Sequence, residues 1–241
     1  MPRSAYAAKL LEFPDIASAD QAAFAHRGRW ADFFGKRIGP DFEHRIILEI
    51  GCFDADYLSD IAARHPHTAF VGIDWKCKAI YEGAKHLSAS HFRNVVLLRA
   101  RGHDLFKLFA GAELDEIWVF HPDPCEREAE QNNRLIGGRF LLDVYSVLKD
   151  RTSLLALKTD HPGYAQSVHD LFRPASANAI DPTRQLLQER LRIAVESPDY
   201  WHDPIAISCT LDRHFAGKAT LFENRFLKKH KPIHYIELRK T

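Results

Sequence analysis

The residues best placed to do chemistry are carboxylates at the ends of short apolar runs. Ile46-Ile47-Leu48-Glu49-Ile50 runs into Gly51 and then Cys52-Phe53-Asp54-Ala55-Asp56. A glycine straight after a buried strand lets the backbone approach a nucleotide-type ligand. An ordinary strand-to-helix turn uses the same residue, and Phe53 and Ala55 stand where the second and third glycines of the usual fingerprint fall. Asp74 ends the run Ala69-Phe70-Val71-Gly72-Ile73. There it can accept the two hydroxyls of a ribose or cap the following helix. Asp123 lies between Pro122 and Pro124, which keep it out of a helix. It is either a carboxylate held above a sheet or the first residue of an Asx turn. Asp160, in Lys158-Thr159-Asp160-His161-Pro162-Gly163-Tyr164, is a second acidic acceptor or the N-cap of a helix at Tyr164.

Five strand–helix alternations place these residues. Strands are expected over 46–50, 69–74, 95–98, 115–120 and 153–158, with helices at about 56–65, 78–88, 105–109, 139–148 and 164–172. Short connections between such units imply a doubly wound, mostly parallel α/β sheet, whose ligands sit at the carboxyl ends of the strands. Upstream, Ser18 and Gln21 can form a capping box opening a helix over 19–34, whose apolar side is Phe24, Trp30, Phe33 and Phe34. Downstream, a helix is expected over 183–195, then strands over 218–226 and 233–238, the last an antiparallel edge. No linker rich in Gly, Pro or Ser divides the chain. One domain is expected, with an N-terminal helical and loop segment over 1–40 and the main domain over 41–241.

Composition excludes several classes. With 46% hydrophobic residues the chain can bury a core, so disorder throughout is excluded. The 33 basic and 32 acidic residues leave a net charge of +1, so any nucleic-acid contact needs a local patch. Cys52, Cys77, Cys125 and Cys209 form no C-x-x-C pair, and a cytosolic protein with reduced thiols is the plain reading. No apolar run is long enough to span a membrane, and Lys9 splits any N-terminal apolar stretch. A metal held by Asp123, Asp160 and a histidine has no ligand spacing to support it, and none is expected.

Taken together, these pieces resemble the tRNA (guanine-N7-)-methyltransferase family, the TrmB-like proteins. The matching segments are Leu48-Glu49-Ile50-Gly51, Gly72-Ile73-Asp74, Phe120 with Pro122-Asp123-Pro124, Thr159-Asp160 before Tyr164, and Thr220-Leu221-Phe222-Glu223 with Arg225. Trp30-Ala31-Asp32-Phe33-Phe34-Gly35 is similar to the segment before that family's first strand. The resemblance implies a class I, Rossmann-like methyltransferase using S-adenosylmethionine. It implies that Glu49, Gly51, Asp74 and Asp123 contact that cofactor and that Asp123 lies between cofactor and guanine as the catalytic residue. Arg127, Asp160, Thr220, Phe222 and Glu223 then lie on the RNA side, in a cytoplasmic protein.

The chain departs from the family pattern in three places. The turn keeps only Gly51, so Phe53 can crowd a cofactor and Asp54 and Asp56 can repel its carboxylate. At the end of the third strand Arg101 stands where an acidic or amide residue is usual, with Asp104 three residues on. The segment after Asp123 carries Glu126, Glu128 and Glu130 against Arg127 and Arg134. Neutralised phosphates supply most RNA affinity, so this loop weakens tRNA binding. That leaves tRNA held chiefly by Arg225, Lys228, Lys229, Lys231, Arg239 and Lys240, or a small heteroaromatic acceptor, or a non-catalytic relative that has lost the cofactor.

Overall fold

The computed structural model describes residues 5–173 and 181–241. They form two compact units: the chain up to Trp118 with Val147–Lys149, and Val119–Ser146 with Asp150–Thr241.

The first unit runs α1 (Ala5–Lys9), β1 (Ala17–Ala19), α2 (Trp30–Ile38), β2 (Ile46–Ile50), α3 (Asp56–Arg64), β3 (Ala69–Asp74), α4 (Cys77–Ala89), β4 (Val95–Arg99), α5 (Leu105–Leu108) and the start of β5 (Glu116–Phe120). All five residues of β2 are buried, which is why the strand reads as an apolar run broken only by Glu49. Its register with β3 is parallel, Ile46 opposite Ala69 through Ile50 opposite Ile73, and β4 continues from Phe70 opposite Val95. Gly83 lets α4 close on the turn after β2: a Cβ there would lie 2.9 Å from the carbonyl oxygen of Asp54.

The helix expected over 19–34 is replaced by a strand, a 3-10 turn at Asp20–Phe24 and a helix starting at Trp30. Ser18 pairs in the sheet opposite Leu98, so it cannot cap. Glu113, from far along the chain, supplies the cap instead. Its carboxylate accepts the N–H groups of Gly28 and Trp30 at 2.9 and 3.2 Å. Trp30 is fully buried and donates its indole N–H to the Leu108 carbonyl at 2.9 Å.

The second unit holds the end of β5, then α6 (Gly138–Val147), β6 (Leu154–Thr159), α7 (Pro162–Phe172), α8 (Pro182–Arg190), β7 (Leu191–Ser197), α9 (Pro204–Thr210), α10 (Leu221–Leu227) and β8 (His234–Lys240). Strand β8 is antiparallel to both β6 and β7. Two expectations fail here. The helix over 183–195 stops at Arg190 and becomes β7, where the β-branched Ile193 and Val195 suit a strand. The strand over 218–226 is helix α10, opened by a capping box in which Thr220 and Glu223 each accept the other's N–H. The final strand pair is therefore β7 and β8, and β8 lies inside the sheet rather than at its edge. The eight strands follow the order β1-β4-β3-β2-β5-β6-β8-β7, the mostly parallel α/β sheet expected. No helix among the described residues is long and apolar enough to cross a membrane.

Candidate functional site

In the first unit the strand ends carry Glu49, Gly51 and Asp74. Glu49 is buried in β2. Gly51 takes φ +87°, and no atom lies within 4 Å of where a Cβ would stand, so this face of the turn is open. The N–H groups of Gly51 and Cys52 both bond the Ile73 carbonyl, at 2.8 and 3.1 Å, which locks the turn to β3.

Phe53 and Ala55 also hold positive φ, +51° and +59°. The turn therefore keeps the left-handed path at alternate residues that glycines would supply, without the glycines. Such a conformation costs a side-chain-bearing residue about 1–2 kcal/mol, and strain of this kind gathers at ligand clamps. Phe53 is half-exposed at 42%.

The Asp74 carboxylate accepts the Lys76 N–H at 2.8 Å. Burial raises its pKa, against the opposing pull of that bond, the Lys76 charge and the amides of Phe53 and Trp75. Burial and these main-chain donors thus pull the Asp74 carboxyl in opposite directions. Burial, then Glu49 and Asp74, push the Cys52 thiol well up, so it is neutral and no nucleophile. At the end of β4, Asp104 accepts the Arg101 N–H at 3.3 Å and the Lys107 ammonium at 2.7 Å.

In the second unit, β5 ends at Phe120 and the chain turns through His121 (φ +52°), Pro122, Asp123, Pro124 and Cys125 (φ +46°). Asp123 is exposed, and one of its oxygens accepts the Cys125 N–H at 3.3 Å, an Asx turn that fixes the carboxylate's direction. Arg134 clamps this loop, donating to the carbonyls of Pro124 at 2.9 Å and Gly163 at 3.1 Å and stacking on Tyr164. Arg127 is 84% exposed in its side chain and meets Glu130 at 3.3 Å.

Asp160 does not cap α7; His161 does, its ring accepting the Tyr164 N–H at 3.0 Å. Asp160 instead meets His121 at 3.6 Å and Lys231 at 3.2 Å. His121, followed by Lys231, holds its carboxyl at about 2.

Thr220 and Glu223 are buried, whereas Phe222 is 40% exposed with the Arg225 guanidinium 5.6 Å from its ring centre. Of the basic C-terminal stretch, Lys231 is tied to Asp160, Arg239 to Glu237 at 2.6 Å, and Lys240 lies over Tyr145. Arg225, Lys228 and Lys229 remain exposed.

The residue that sequence reasoning missed is Lys158. Its ammonium is fully buried, 3.0 Å from Glu223, and faces the rings of Tyr200, Trp201, Phe120 and Phe215 at 4.5–5.2 Å. The one available signal was a lysine closing an otherwise apolar strand.

A family model described as "Putative methyltransferase" matches residues 43–204. A bifunctional glycosyltransferase/methyltransferase of Fusobacterium nucleatum is 28% identical over 98% of this chain and 32% of its own length. A tRNA (guanine-N(7)-)-methyltransferase of Porphyromonas gingivalis is 35% identical over 61% of this chain and 57% of its own. The chain thus spans about a third of the first relative and just over half of the second. A protein of the second name from Christiangramia forsetii is 29% identical over 90% of this chain and 85% of its own.

Among solved structures, an antibiotic-related methyltransferase superposes with a TM-score of 0.56 at 16% identity, covering 88% of this chain and 94% of that one. A 16S rRNA methyltransferase gives 0.54 at 12% identity, covering 85% and 91%. These two likenesses show the fold. Matched by the family model over more than half of its length, the chain belongs to this methyltransferase family.

Proposed function

We propose that the protein transfers a methyl group from S-adenosylmethionine to N7 of a guanine in tRNA. The observation that carries this reading is the similarity to a tRNA (guanine-N(7)-)-methyltransferase along 90% of the chain. The open face at Gly51, the buried Glu49 and the donor-fed Asp74 fit the cofactor, which supplies an electrophilic methyl on a sulfonium. Asp74 takes the ribose hydroxyls, and Glu49 and Gly51 take the rest of the cofactor.

Guanine N7 carries a free lone pair and loses no proton on methylation. No dedicated general base is needed, and orientation supplies much of the rate. Asp123 is the catalytic carboxylate: its fixed oxygen orients the reactants and favours the cationic groups on either side of the transfer. Asp160, held ionised, accepts from the guanine N1–H and N2–H₂ edge. Arg127 and Phe222 contact the RNA, Arg127 through phosphate and Phe222 through stacking. Thr220 and Glu223 shape that surface from beneath.

The test is methylation of bulk tRNA, read as 7-methylguanosine in the nuclease digest. Its appearance with wild type and its loss with Asp123→Asn, with turnover lowered more than cofactor affinity, support the reading. Tight cofactor binding with no transfer to tRNA overturns it. One observation favours a second reading, a small heteroaromatic acceptor: Glu126 and Glu128 are exposed beside Asp123, where a polyanion is repelled.

A further inference from the structure

We propose that Lys158 is a positioning residue that sets the acceptor-side helix α10 and the Asp123 loop in register. This rests on the function proposed above. Three connections meet at this residue. Its main-chain carbonyl accepts the His121 N–H at 2.8 Å, which anchors the start of the Pro122-Asp123-Pro124 loop. Two residues further along the chain is Asp160. Its ammonium reaches Glu223 Oε1 at 3.0 Å, with both side chains fully buried.

Glu223 has little capacity left for a ligand. Oε1 also accepts the indole N–H of Trp201 at 3.1 Å, and Oε2 accepts the Thr220 N–H at 2.8 Å, closing the capping box of α10. Fully buried, Glu223 meets a base only if the residues around it move. The exposed side chains of the same helix are Leu221, Phe222 and Arg225.

The charge on Lys158 is what makes this arrangement hold. Burial lowers the lysine's pKa and Glu223 raises it again. Four aromatic faces stabilise the ammonium where water cannot. A buried carboxylate stripped of its cation is strongly disfavoured, so without Lys158 the Glu223 side chain turns toward solvent and α10 shifts with it.

The experiment compares Lys158→Met, Glu223→Gln and the double variant in the full chain. Met fills the aromatic box without the charge, and Gln keeps the acceptor and the shape of Glu223. In Lys158→Met we expect the KM for tRNA to rise about tenfold or more, with the dissociation constant for S-adenosylmethionine within about twofold of wild type. The double variant recovers most of that loss, because no uncompensated carboxylate remains.

The indole N–H resonance of Trp201, assigned by its loss in Trp201→Phe, moves in Lys158→Met and returns toward its position in the double variant. An unchanged KM in a folded Lys158→Met overturns the proposal. So does an equal loss of cofactor affinity, which marks general damage. If Lys158→Met does not fold, the double variant decides: folded with a near-wild-type KM it supports the proposal, and with a KM raised tenfold it overturns it. If wild type methylates no tRNA, the functional reading fails on that measurement alone, and the Trp201 resonance still decides whether Lys158 holds Glu223.

Discussion

The turn after β2 and the region around Asp160 and α10 in the second unit hold their carboxylates by different means. In the turn, main-chain bonds do the work: Gly51 and Cys52 bond to Ile73, the Asp74 carboxylate takes the Lys76 amide, and the path is kept although Phe53 and Ala55 replace glycines. In the second unit, side chains do the work: Lys158 holds Glu223, and His121 and Lys231 hold Asp160. Backbone-held geometry tolerates a change of side chain at the cost of local strain. Side-chain-held geometry fails when one partner is removed. The two regions should therefore respond to substitution on different scales.

The largest effect is expected at Glu223. Glu223→Leu leaves the Lys158 ammonium buried among four rings without its counter-ion and removes the cap of α10. Removing one partner of a buried pair costs about 3–5 kcal/mol. Urea unfolding should show a loss of that order, with Glu223→Gln losing less. A Glu223→Leu protein as stable as wild type would mean that the aromatic box alone carries Lys158.

Asp74→Ala in the first unit should leave stability nearly unchanged, because burial raises the carboxyl's pKa and its ionised form is not a stabilising element. Its effect should fall on the ligand: about 1–3 kcal/mol weaker S-adenosylmethionine binding, the worth of charge-assisted hydrogen bonds to the ribose. Calorimetry separates the two, and an unchanged dissociation constant removes Asp74 from the cofactor site.

The same contrast decides what the sequence made legible. Strands β2 and β3 read directly as apolar runs because their core residues are buried, and the acidic residue at the end of β3 follows from that register. Helix α10 was misread as a strand because Leu221, Phe222, Phe226 and Leu227 fit neither a period of two nor a single helical face. Its T-x-x-E capping signature was the better guide. The start of α2 was misplaced because its cap, Glu113, comes from far along the chain. The Lys158 box was out of reach for the same reason. Three of its rings, Tyr200, Trp201 and Phe215, lie more than forty residues downstream, and a sequence shows the charge but not what surrounds it. The backbone path through Phe53 and Ala55 was hidden because neither residue type announces a positive φ.

A smaller effect is expected at Asp160 as the pH falls. Its carboxyl is lowered from 3.8 to about 2 in the folded protein, by His121 first and Lys231 after it. A depressed carboxyl binds fewer protons in the folded than in the unfolded state. Its stabilisation is therefore complete above pH 4 or so and is lost as the pH falls toward 2. The side chain is 21% exposed, and solvent screening brings the expected contribution to about 1 kcal/mol. Asp160→Asn should be less stable than wild type at pH 6 and converge with it near pH 2. A gap that persists at pH 2 would assign the stabilisation to packing rather than charge.

The finest distinction is at Phe53. Phe53→Ala and Phe53→Gly both delete the half-exposed ring, so lost packing and any relief of crowding at the cofactor are common to the two. They differ in what φ +51° asks of the backbone. Alanine keeps the clash between Cβ and the carbonyl oxygen that makes a left-handed residue unfavourable, about 1–2 kcal/mol. Glycine removes it but gives the unfolded chain more freedom, which returns about 0.4–1 kcal/mol. Phe53→Gly should therefore be more stable than Phe53→Ala by about 0.5–1 kcal/mol, read as a shift in the urea midpoint at constant slope. At an exposed position with negative φ the order reverses, and Phe106, 39% exposed in α5, supplies that control. If Phe53→Ala is the more stable of its pair, the turn relaxes out of the left-handed region when the ring is removed. Phe53 itself, and not the main-chain bonds to β3, would then be holding the path.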